Sequence, residues 1–252
     1  MAPWWLHLYD ELLAELLLDG APPEDADSTA CWLISALGLR PGDLVFDQGC
    51  GTGRLALPLL ERGLEVFGVD AAAPYVDRAR ARAAAHGGRA RFEVGDIAEA
   101  EAPAPAAAAL SWWTCLGYLP TDAENQRPMA RAFASLRPGG VYAVDTMNAS
   151  EVLRAFRPVQ QDTLRRPGGD THLRRDSRID LTTGTLHKTW TWTLPSGEVR
   201  TWPSAVRLYA PHELCALLRG VGFVDLRLFG GPDGRPLELD SPRCVVLARR
   251  PA

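Results

Sequence analysis

The sequence has 252 residues, a length that suits one α/β domain built around a single core. Hydrophobic residues make up 46% of it and charged residues 23%, values that are ordinary for globular proteins and exclude a disordered or fibrous chain. The formal net charge of −4 argues against a nucleic-acid partner, and the longest apolar runs, 12–18 and 104–110, are far shorter than the roughly 20 residues that a membrane-spanning helix needs.

The N-terminal part is predicted to form helices before the chain enters a sheet. Apolar residues recur at helical spacing over Leu6–Leu18 and again over Asp27–Leu37, where Asp27 or Ser28 would cap the helix. Leu44–Asp47 is a short apolar run that ends in an acid and is followed by glycines. This pattern is typical of a buried parallel strand that leads into a tight turn.

Strands and helices then alternate as far as residue 147. The predicted elements are a helix over 54–62, a strand over 65–70, a helix over 74–86, strands over 91–96 and 107–113, a helix over 122–136 and a strand over 141–147. Strands that alternate with helices of this length predict a doubly wound parallel sheet. Ligands of such sheets bind outside the carboxyl ends of the strands, at the point where the strand order reverses.

The pattern changes after Asn148. Apolar and polar residues alternate between residues 171 and 208, around turn signals at 183–184 and 195–197, which predicts two or three antiparallel strands inserted after the fifth strand. The α/β pattern resumes with a helix over 211–220 and strands over 224–229 and 244–249. We therefore expect one domain over 1–252, with an N-terminal helical lid over about 1–40 and a β insertion over about 150–210.

The cysteines and histidines indicate a reducing compartment and no metal site. Five cysteines are scattered without a Cys-x-x-Cys pair, and five histidines lack the His-x-x-x-His spacing of a zinc site. The first residues have neither a basic region nor a small-residue cleavage site, so we expect no secretory signal and a cytoplasmic protein.

The sharpest motif runs from Asp47 to Gly53 and reads Asp-Gln-Gly-Cys-Gly-Thr-Gly. Glycines let the backbone turn tightly and bring N–H groups close to a ligand at the start of a helix. The dinucleotide fingerprint would need a glycine where Arg54 stands, and no Gly-Lys-Ser/Thr follows to make a phosphate-binding loop. The motif is therefore neither of these. It is an acid, Asp47, followed by three glycines at every second position, the first of them two residues after the acid.

This motif resembles the cofactor loop of class I S-adenosylmethionine-dependent methyltransferases, and three further landmarks stand where that family has them. Asp70 ends the second strand, Gly95–Ile97 ends the third, and the sequence LRPGG at 136–140 precedes the fifth. The resemblance implies a seven-stranded Rossmann-like sheet whose last two strands form an antiparallel hairpin, and it implies S-adenosylmethionine as the cofactor. Asp70 would accept hydrogen bonds from both ribose hydroxyls, and Asp96 and Ile97 would contact the adenine. The implied cofactor-binding residues are Asp47, Gly49, Cys50, Gly51, Asp70, Ala71, Asp96, Ile97 and Trp112.

In this family the reactive methyl group faces the residues after the fourth strand, here Ser111–Tyr118. The Asn-Pro-Pro-Tyr type of motif, found there in enzymes that methylate nucleobases and glutamine, is absent. Lys188 is the only lysine, so the Lys-Asp-Lys-Glu set of ribose methyltransferases is absent too. These departures favour a small-molecule acceptor.

Aromatic residues are expected to surround the reacting centre, because an aromatic face stabilises a sulfonium or ammonium cation. The residues expected to orient the reacting groups are Trp113, Tyr118 and Tyr9. Trp4 and Trp5 are expected to close over the acceptor as a lid, and packing in the core is the alternative for all of these tryptophans.

The predicted insertion, with Trp190, Trp192 and Arg207, resembles the extra antiparallel element of small-molecule N-methyltransferases that modify glycine and amino sugars. In those enzymes it covers the acceptor pocket or makes a dimer contact, so a homodimer is one interpretation. Arg207 would bind an acceptor carboxylate, unless it pairs with a structural acid.

The sequence thus predicts S-adenosylmethionine-dependent methyl transfer to an amine or hydroxyl of a small molecule, in specialised metabolism. One alternative is a cyclase that converts the cofactor itself into a small cyclic amino acid, such as azetidine-2-carboxylate, and releases methylthioadenosine. Another is a non-catalytic binding module, which would be expected to have a degraded glycine loop. The nucleoside product distinguishes transfer from cyclisation.

Overall fold

The computed structural model of the chain describes residues 3–15, 23–165 and 168–252. The helices in these ranges are α1 (Trp5–Leu8), α2 (Glu11–Leu13), α3 (Pro23–Leu37), α4 (Ala56–Glu61), α5 (Ala73–Ala83), α6 (Asp122–Ser135), α7 (Ala149–Arg154) and α8 (Pro211–Val221). The strands are β1 (Leu44–Gln48), β2 (Glu65–Asp70), β3 (Ala90–Val94), β4 (Ala106–Ser111), β5 (Leu136–Met147), β6 (Val159–Leu164), β7 (Thr171–Asp180), β8 (Thr185–Thr193), β9 (Val199–Arg207), β10 (Val224–Phe229) and β11 (Arg243–Arg249).

Seven of the strands form one mixed sheet in the order β10-β11-β5-β4-β1-β2-β3. Neighbouring strands from β3 to β5 are parallel, and β11 runs antiparallel to both β5 and β10. This arrangement confirms the predicted doubly wound sheet with an antiparallel hairpin at its end. The strand order reverses between β1 and β4, which places the ligand cleft at the carboxyl ends of these two strands.

Helices cover both faces of the seven-stranded sheet. Because side chains alternate along a strand, Val45 packs on the side of α3, α4 and α5, whereas Phe46 packs on the side of α6 and α8. Every residue of β4 is buried, and four of its six residues are alanines. The carboxyl edge of the sheet is therefore held between two packed layers.

The remaining four strands form a separate antiparallel sheet in the order β6-β7-β8-β9. It confirms the predicted insertion after the fifth strand and has one strand more than predicted, β6. Gly117, in the loop after β4, accepts a hydrogen bond from the Arg207 backbone N–H at 2.7 Å, which joins this second sheet to the edge of the first.

The predicted single helix over 6–18 is wrong in its described part. The chain forms two short helices, α1 and α2, because Asp10 adopts extended backbone angles and its carboxylate caps α2 by accepting from the Leu13 N–H at 2.9 Å. Residues 16–18 of that prediction lie outside the described residues.

In the described part of the chain, no helix combines the length and apolar character of a membrane span. All five cysteines are free thiols.

Candidate active site

A cavity of about 390 Å³ lies at the carboxyl ends of β1 to β4, a volume in the range of small-molecule sites. The loops after these four strands supply most of its lining. The predicted residues that line it are Trp5, Tyr9, Gly49, Cys50, Gly51, Asp70, Ala71, Asp96, Ile97, Trp112, Trp113 and Tyr118. The fold thus brings together lining residues that are far apart in the chain, from Trp5 to Pro128.

The glycine loop after β1 is held against the end of β2. The N–H groups of Gly49 and Cys50 both donate to the Val69 carbonyl, at 2.8 and 3.1 Å. Gly49 has a φ of 72°, and a Cβ placed there would lie 2.5 Å from the Cys115 sulfur. Gly51, at φ 53°, lines the cavity, and a Cβ there would meet no atom within 4 Å. Glycine at both positions allows the left-handed backbone that shapes the loop.

Asp70 connects the ends of β1 and β2. One carboxylate oxygen accepts from the Gly51 N–H at 2.9 Å and the other from the Ala72 N–H at 2.9 Å. Burial raises the pKa of this carboxyl, and the backbone N–H groups oppose that rise. Both oxygens thus accept from backbone N–H groups, and the carboxylate keeps further acceptor capacity toward the cavity, whose lining includes Asp70.

Asp47 is the one predicted cofactor-binding residue that does not line the cavity. It is 2% exposed, and no described residue donates a hydrogen bond to its carboxylate. Burial, together with the charge of Asp70, raises the pKa of Asp47 to about 7. An ionised carboxylate that is buried without a partner is costly, which is why the protonated form of Asp47 is favoured.

Because of this raised pKa, the stability of the ligand-free protein is expected to fall as pH rises from about 4 to about 7. In that window the folded protein keeps a proton that an aspartate in the unfolded chain has already released. Asp47→Asn removes this dependence, so we expect its melting temperature to rise relative to that of the wild type by several degrees between pH 5 and pH 8. Asp77→Asn, at an exposed carboxylate on α5, is the control and should follow the wild type. A constant difference between Asp47→Asn and the wild type across this range would contradict the expectation.

The two residues predicted to contact adenine, Asp96 and Ile97, lie in the loop after β3 and line the cavity. The Asp96 carboxylate accepts from the Ala98 N–H at 2.8 Å, which fixes the turn that carries Ile97. Gln48, which sequence reasoning did not single out, donates to the carbonyls of Ile97 at 3.3 Å and Pro128 at 2.9 Å. Because Gln48 is fully buried, its amide fixes two parts of the cavity wall from behind.

The two consecutive tryptophans of the loop after β4, Trp112 and Trp113, lie in different environments. Trp112 is 4% exposed and packs in the core beside Trp32, with ring centroids 6.5 Å apart. Trp113 is 42% exposed and has a φ of 55°, and the Arg54 guanidinium lies over its ring at 4.8 Å. Of the two side chains, Trp113 therefore faces the cavity opening, while Trp112 is part of the core as well as of the wall.

A buried ion pair supports the left-handed backbone of Trp113. Its N–H donates to the Asp145 carboxylate at 3.0 Å, and Arg243 contacts the same carboxylate at 2.7 and 2.8 Å. Arg243 also donates to the Thr114 hydroxyl at 3.0 Å. Thr114 has a φ of 68°. These contacts offset the cost of two non-glycine residues in the left-handed region.

Two tyrosine hydroxyls meet inside the cavity. Tyr9, from the turn between α1 and α2, lies 2.5 Å from Tyr118 between hydroxyl oxygens, and the rings are stacked. Trp4 and Trp5 pack on Tyr118, with ring centroids 4.8 and 6.1 Å away. Burial raises the pKa of both tyrosines well above the ordinary value, so both are neutral phenols at pH 7. The N-terminal segment thus packs on the loop after β4, with Trp5 and Tyr9 in the cavity lining and Trp4 against Tyr118. That this segment acts as a lid stays a prediction.

Asn125 was missed by sequence reasoning, although it lines the cavity. Its side-chain carbonyl accepts from the N–H groups of Gly117 and Leu119, both at 3.1 Å. Its amide nitrogen donates to the carbonyls of Leu119 and Thr121. One buried side chain thereby fixes the loop on both sides of Tyr118. No local sequence signal marks this role, because its partners lie in a loop without regular structure.

Arg207 lies outside the cavity lining. Its guanidinium contacts Glu213 at 2.7 Å and Asp122 at 3.6 Å, and it lies over the Tyr209 ring at 4.6 Å. Its backbone, rather than its charged group, contacts the loop of Tyr118. The predicted contact with an acceptor carboxylate stays a prediction.

Known proteins are similar to this chain both in sequence and in fold. A family model described as a methyltransferase domain matches residues 45–140. A protein-L-isoaspartate O-methyltransferase of Methylorubrum populi is 38% identical over 92 residues, which are 34% of this chain and 43% of that enzyme. Other curated relatives are likewise matched over only part of their length, for example 22% and 56%.

Solved structures are similar over nearly the whole chain. The CcbJ methyltransferase from Streptomyces caelestis superposes with a TM-score of 0.80 at 24% identity, covering 97% of this chain and 98% of that one. CalS10, an amino pentose methyltransferase from Micromonospora echinaspora, superposes with a TM-score of 0.71 at 20% identity, covering 96% and 97%. At identities below 25%, this structural similarity shows a shared fold and no more. The matched part, residues 45–140, contains the glycine loop and Asp70 of a methyltransferase domain, and the solved structures share the fold of nearly the whole chain.

Proposed function

We propose that this protein transfers the methyl group of S-adenosylmethionine to an amine of a small molecule, in specialised metabolism. The observation that supports an amine acceptor is the neutral Tyr9–Tyr118 pair in a cavity whose described lining has no histidine, glutamate or lysine. A hydroxyl acceptor is the second choice.

The residues present fit S-adenosylmethionine. Asp70 keeps acceptor capacity for ribose hydroxyls, and Gly51 leaves open space at the cavity wall. Asp47 is buried at the end of β1, outside the lining, and its charge would act on the methionyl ammonium group across the glycine loop. Asp96 and Ile97 would hold the adenine, as the family resemblance implies.

The bound cofactor supplies a methyl group on a sulfonium, which is already a good leaving group. The protein has to hold the acceptor in line and exclude water. Trp5, Tyr9 and Tyr118 close the cavity on the side of the lid, and Asn125 fixes the position of Tyr118. Because one tyrosine hydroxyl donates to the other, the second O–H remains available to orient an acceptor.

The titratable groups of the cavity favour nitrogen over oxygen as the acceptor atom. Among the described lining residues there is no histidine, glutamate or lysine, and the two carboxylates, Asp70 and Asp96, both accept backbone hydrogen bonds. Burial raises the pKa of the tyrosines and of Cys115. A hydroxyl acceptor needs a base to take its proton, whereas a neutral amine attacks with its lone pair and loses its proton afterwards.

The experiment that tests this function is identification of the nucleoside product by mass spectrometry. The protein is incubated with S-adenosylmethionine alone and with a panel of small amines and their hydroxyl analogues. We expect S-adenosylhomocysteine to form only when an amine is present. Methylthioadenosine formed without an acceptor would show cyclisation of the cofactor instead, and turnover of the hydroxyl analogues alone would overturn the choice of nitrogen.

Three further expectations, on location, acceptor size and oligomeric state, accompany this proposal. The scattered free cysteines support a cytoplasmic location, and the small cavity supports a small-molecule rather than a macromolecular acceptor. A homodimer through the second sheet stays a prediction.

A further inference from the structure

The inner face of the second sheet is buried at both ends and half-buried between them. At one end, Leu173 and Trp192 pack with Leu12 of the N-terminal segment. At the other end, Leu186 packs with Leu208. The strand pairing places the residues between these ends on the same face, because directly opposite residues of antiparallel strands share a face.

Two neighbouring rows of side chains cross this middle region. In the first row, Ser177 of β7 stands opposite Lys188 of β8, which stands opposite Ser204 of β9. In the second row, Arg175 stands opposite Trp190. Lys188 Nζ and the Arg175 guanidinium both lie 5.6 Å from the centre of the Trp190 ring, so two cations flank one aromatic side chain.

The side chains in this middle region have more hydrogen-bond donors than acceptors. Arg175 forms an ion pair with Asp162 through one terminal nitrogen, but its Nε is buried and has no hydrogen-bond partner among the described residues. The Ser177 hydroxyl is also buried, and no residue in the described ranges forms a hydrogen bond with it. Lys188 makes no hydrogen bond or ion pair with any described residue. Burial and the charge of Arg175 both lower the pKa of Lys188.

Buried donors beside an uncompensated positive charge are stabilised by an anionic acceptor. A carboxylate or a phosphate would accept from Lys188, Arg175 Nε and the Ser177 hydroxyl, and it would neutralise the repulsion between the two cations. We propose that Ser177, Lys188 and Arg175 form a binding site for a carboxylate or phosphate group of a small molecule, separate from the cofactor cavity. None of the three residues lines that cavity.

The test uses the fact that Lys188 is the only lysine of the chain. The protein is acylated with an N-hydroxysuccinimide ester in sodium chloride, in inorganic phosphate and in acetate, all at one ionic strength. Mass spectrometry follows the peptide that contains Lys188, and the α-amine at the chain start is the internal control. We expect 100 mM phosphate or acetate to slow acylation of Lys188 at least threefold and to leave the α-amine unaffected. Protection by phosphate alone assigns a phosphate group, and equal protection by acetate assigns a carboxylate.

Variants of the proposed site residues show whether the anion that protects Lys188 binds at this site. Arg175→Gln and Ser177→Ala should each raise the concentration for half-protection at least threefold, and a melting curve shows that each is folded. Arg174→Gln is the matched control, because Arg174 lies on the opposite, exposed face and pairs with Asp176. Acylation of Lys188 at one rate in chloride, phosphate and acetate would overturn the proposal, as would protection that neither Arg175→Gln nor Ser177→Ala reduces. No S-adenosylmethionine is used, so this result and that of the nucleoside assay are independent.

Discussion

Replacement of Asp70 by alanine is expected to weaken the binding of S-adenosylmethionine at least tenfold while the protein stays folded. A hydrogen bond to a charged group typically contributes about 1.5–3 kcal/mol, and a factor of ten in affinity corresponds to about 1.4 kcal/mol. Asp70 also fixes the Gly51 N–H, so its loss loosens the glycine loop. Isothermal titration calorimetry of the variant and the wild type measures the change.

The control for Asp70→Ala is Asp77→Ala. Asp77 is an exposed acid on α5, 3.0 Å from Arg80, and lies outside the cavity lining. Its replacement should leave the dissociation constant unchanged. An unchanged constant in folded Asp70→Ala would mean that Asp70 only braces the loop and does not bind the ribose.

Trp112→Ala is expected to lower the free energy of unfolding by about 3–5 kcal/mol, the usual cost of emptying a large aromatic site in a core. Trp113→Ala is the matched comparison on the next residue. Because Trp113 is 42% exposed and its main described contact is a cation–π pair, its removal should cost less than about 1.5 kcal/mol. Urea denaturation of the two variants gives both values.

Turnover measurements on Trp113→Ala distinguish a role in the reaction from a role in stability. Trp113 lies at the cavity opening, so we expect Trp113→Ala to lower the single-turnover rate, with an acceptor found in the nucleoside assay, by more than it lowers cofactor affinity. A strongly destabilised Trp113→Ala with normal turnover per folded molecule would instead place Trp113 in the core and remove it from the reaction.

The sheet and the cofactor loop were predictable because their signals are local. Asp47, Asp70 and Asp96 each stand at or just after the end of a short apolar run, and the alternating glycines directly follow the first of these runs. Parallel strands bring such positions to one edge of the sheet, so the pattern and the topology determine them together.

Other features depend on contacts that the sequence does not display. Tyr9 reaches Tyr118, 109 residues away, and the chain breaks its helical pattern there. Asn125 and Gln48 act through carbonyls and N–H groups of irregular segments, which no periodicity marks. The extra strand β6 is polar and exposed along nearly its whole length, so it lacks the apolar alternation that identified its neighbours.

Calorimetric titration with S-adenosylhomocysteine tests the central claim most directly, because it needs no knowledge of the acceptor. The glycine loop, Asp47 and Asp70 predict one binding site per chain with micromolar affinity, and a melting temperature that rises with ligand concentration. The same titration with NADH should show no binding. Binding of NADH together with no binding of S-adenosylhomocysteine or S-adenosylmethionine would contradict the assignment of the cavity.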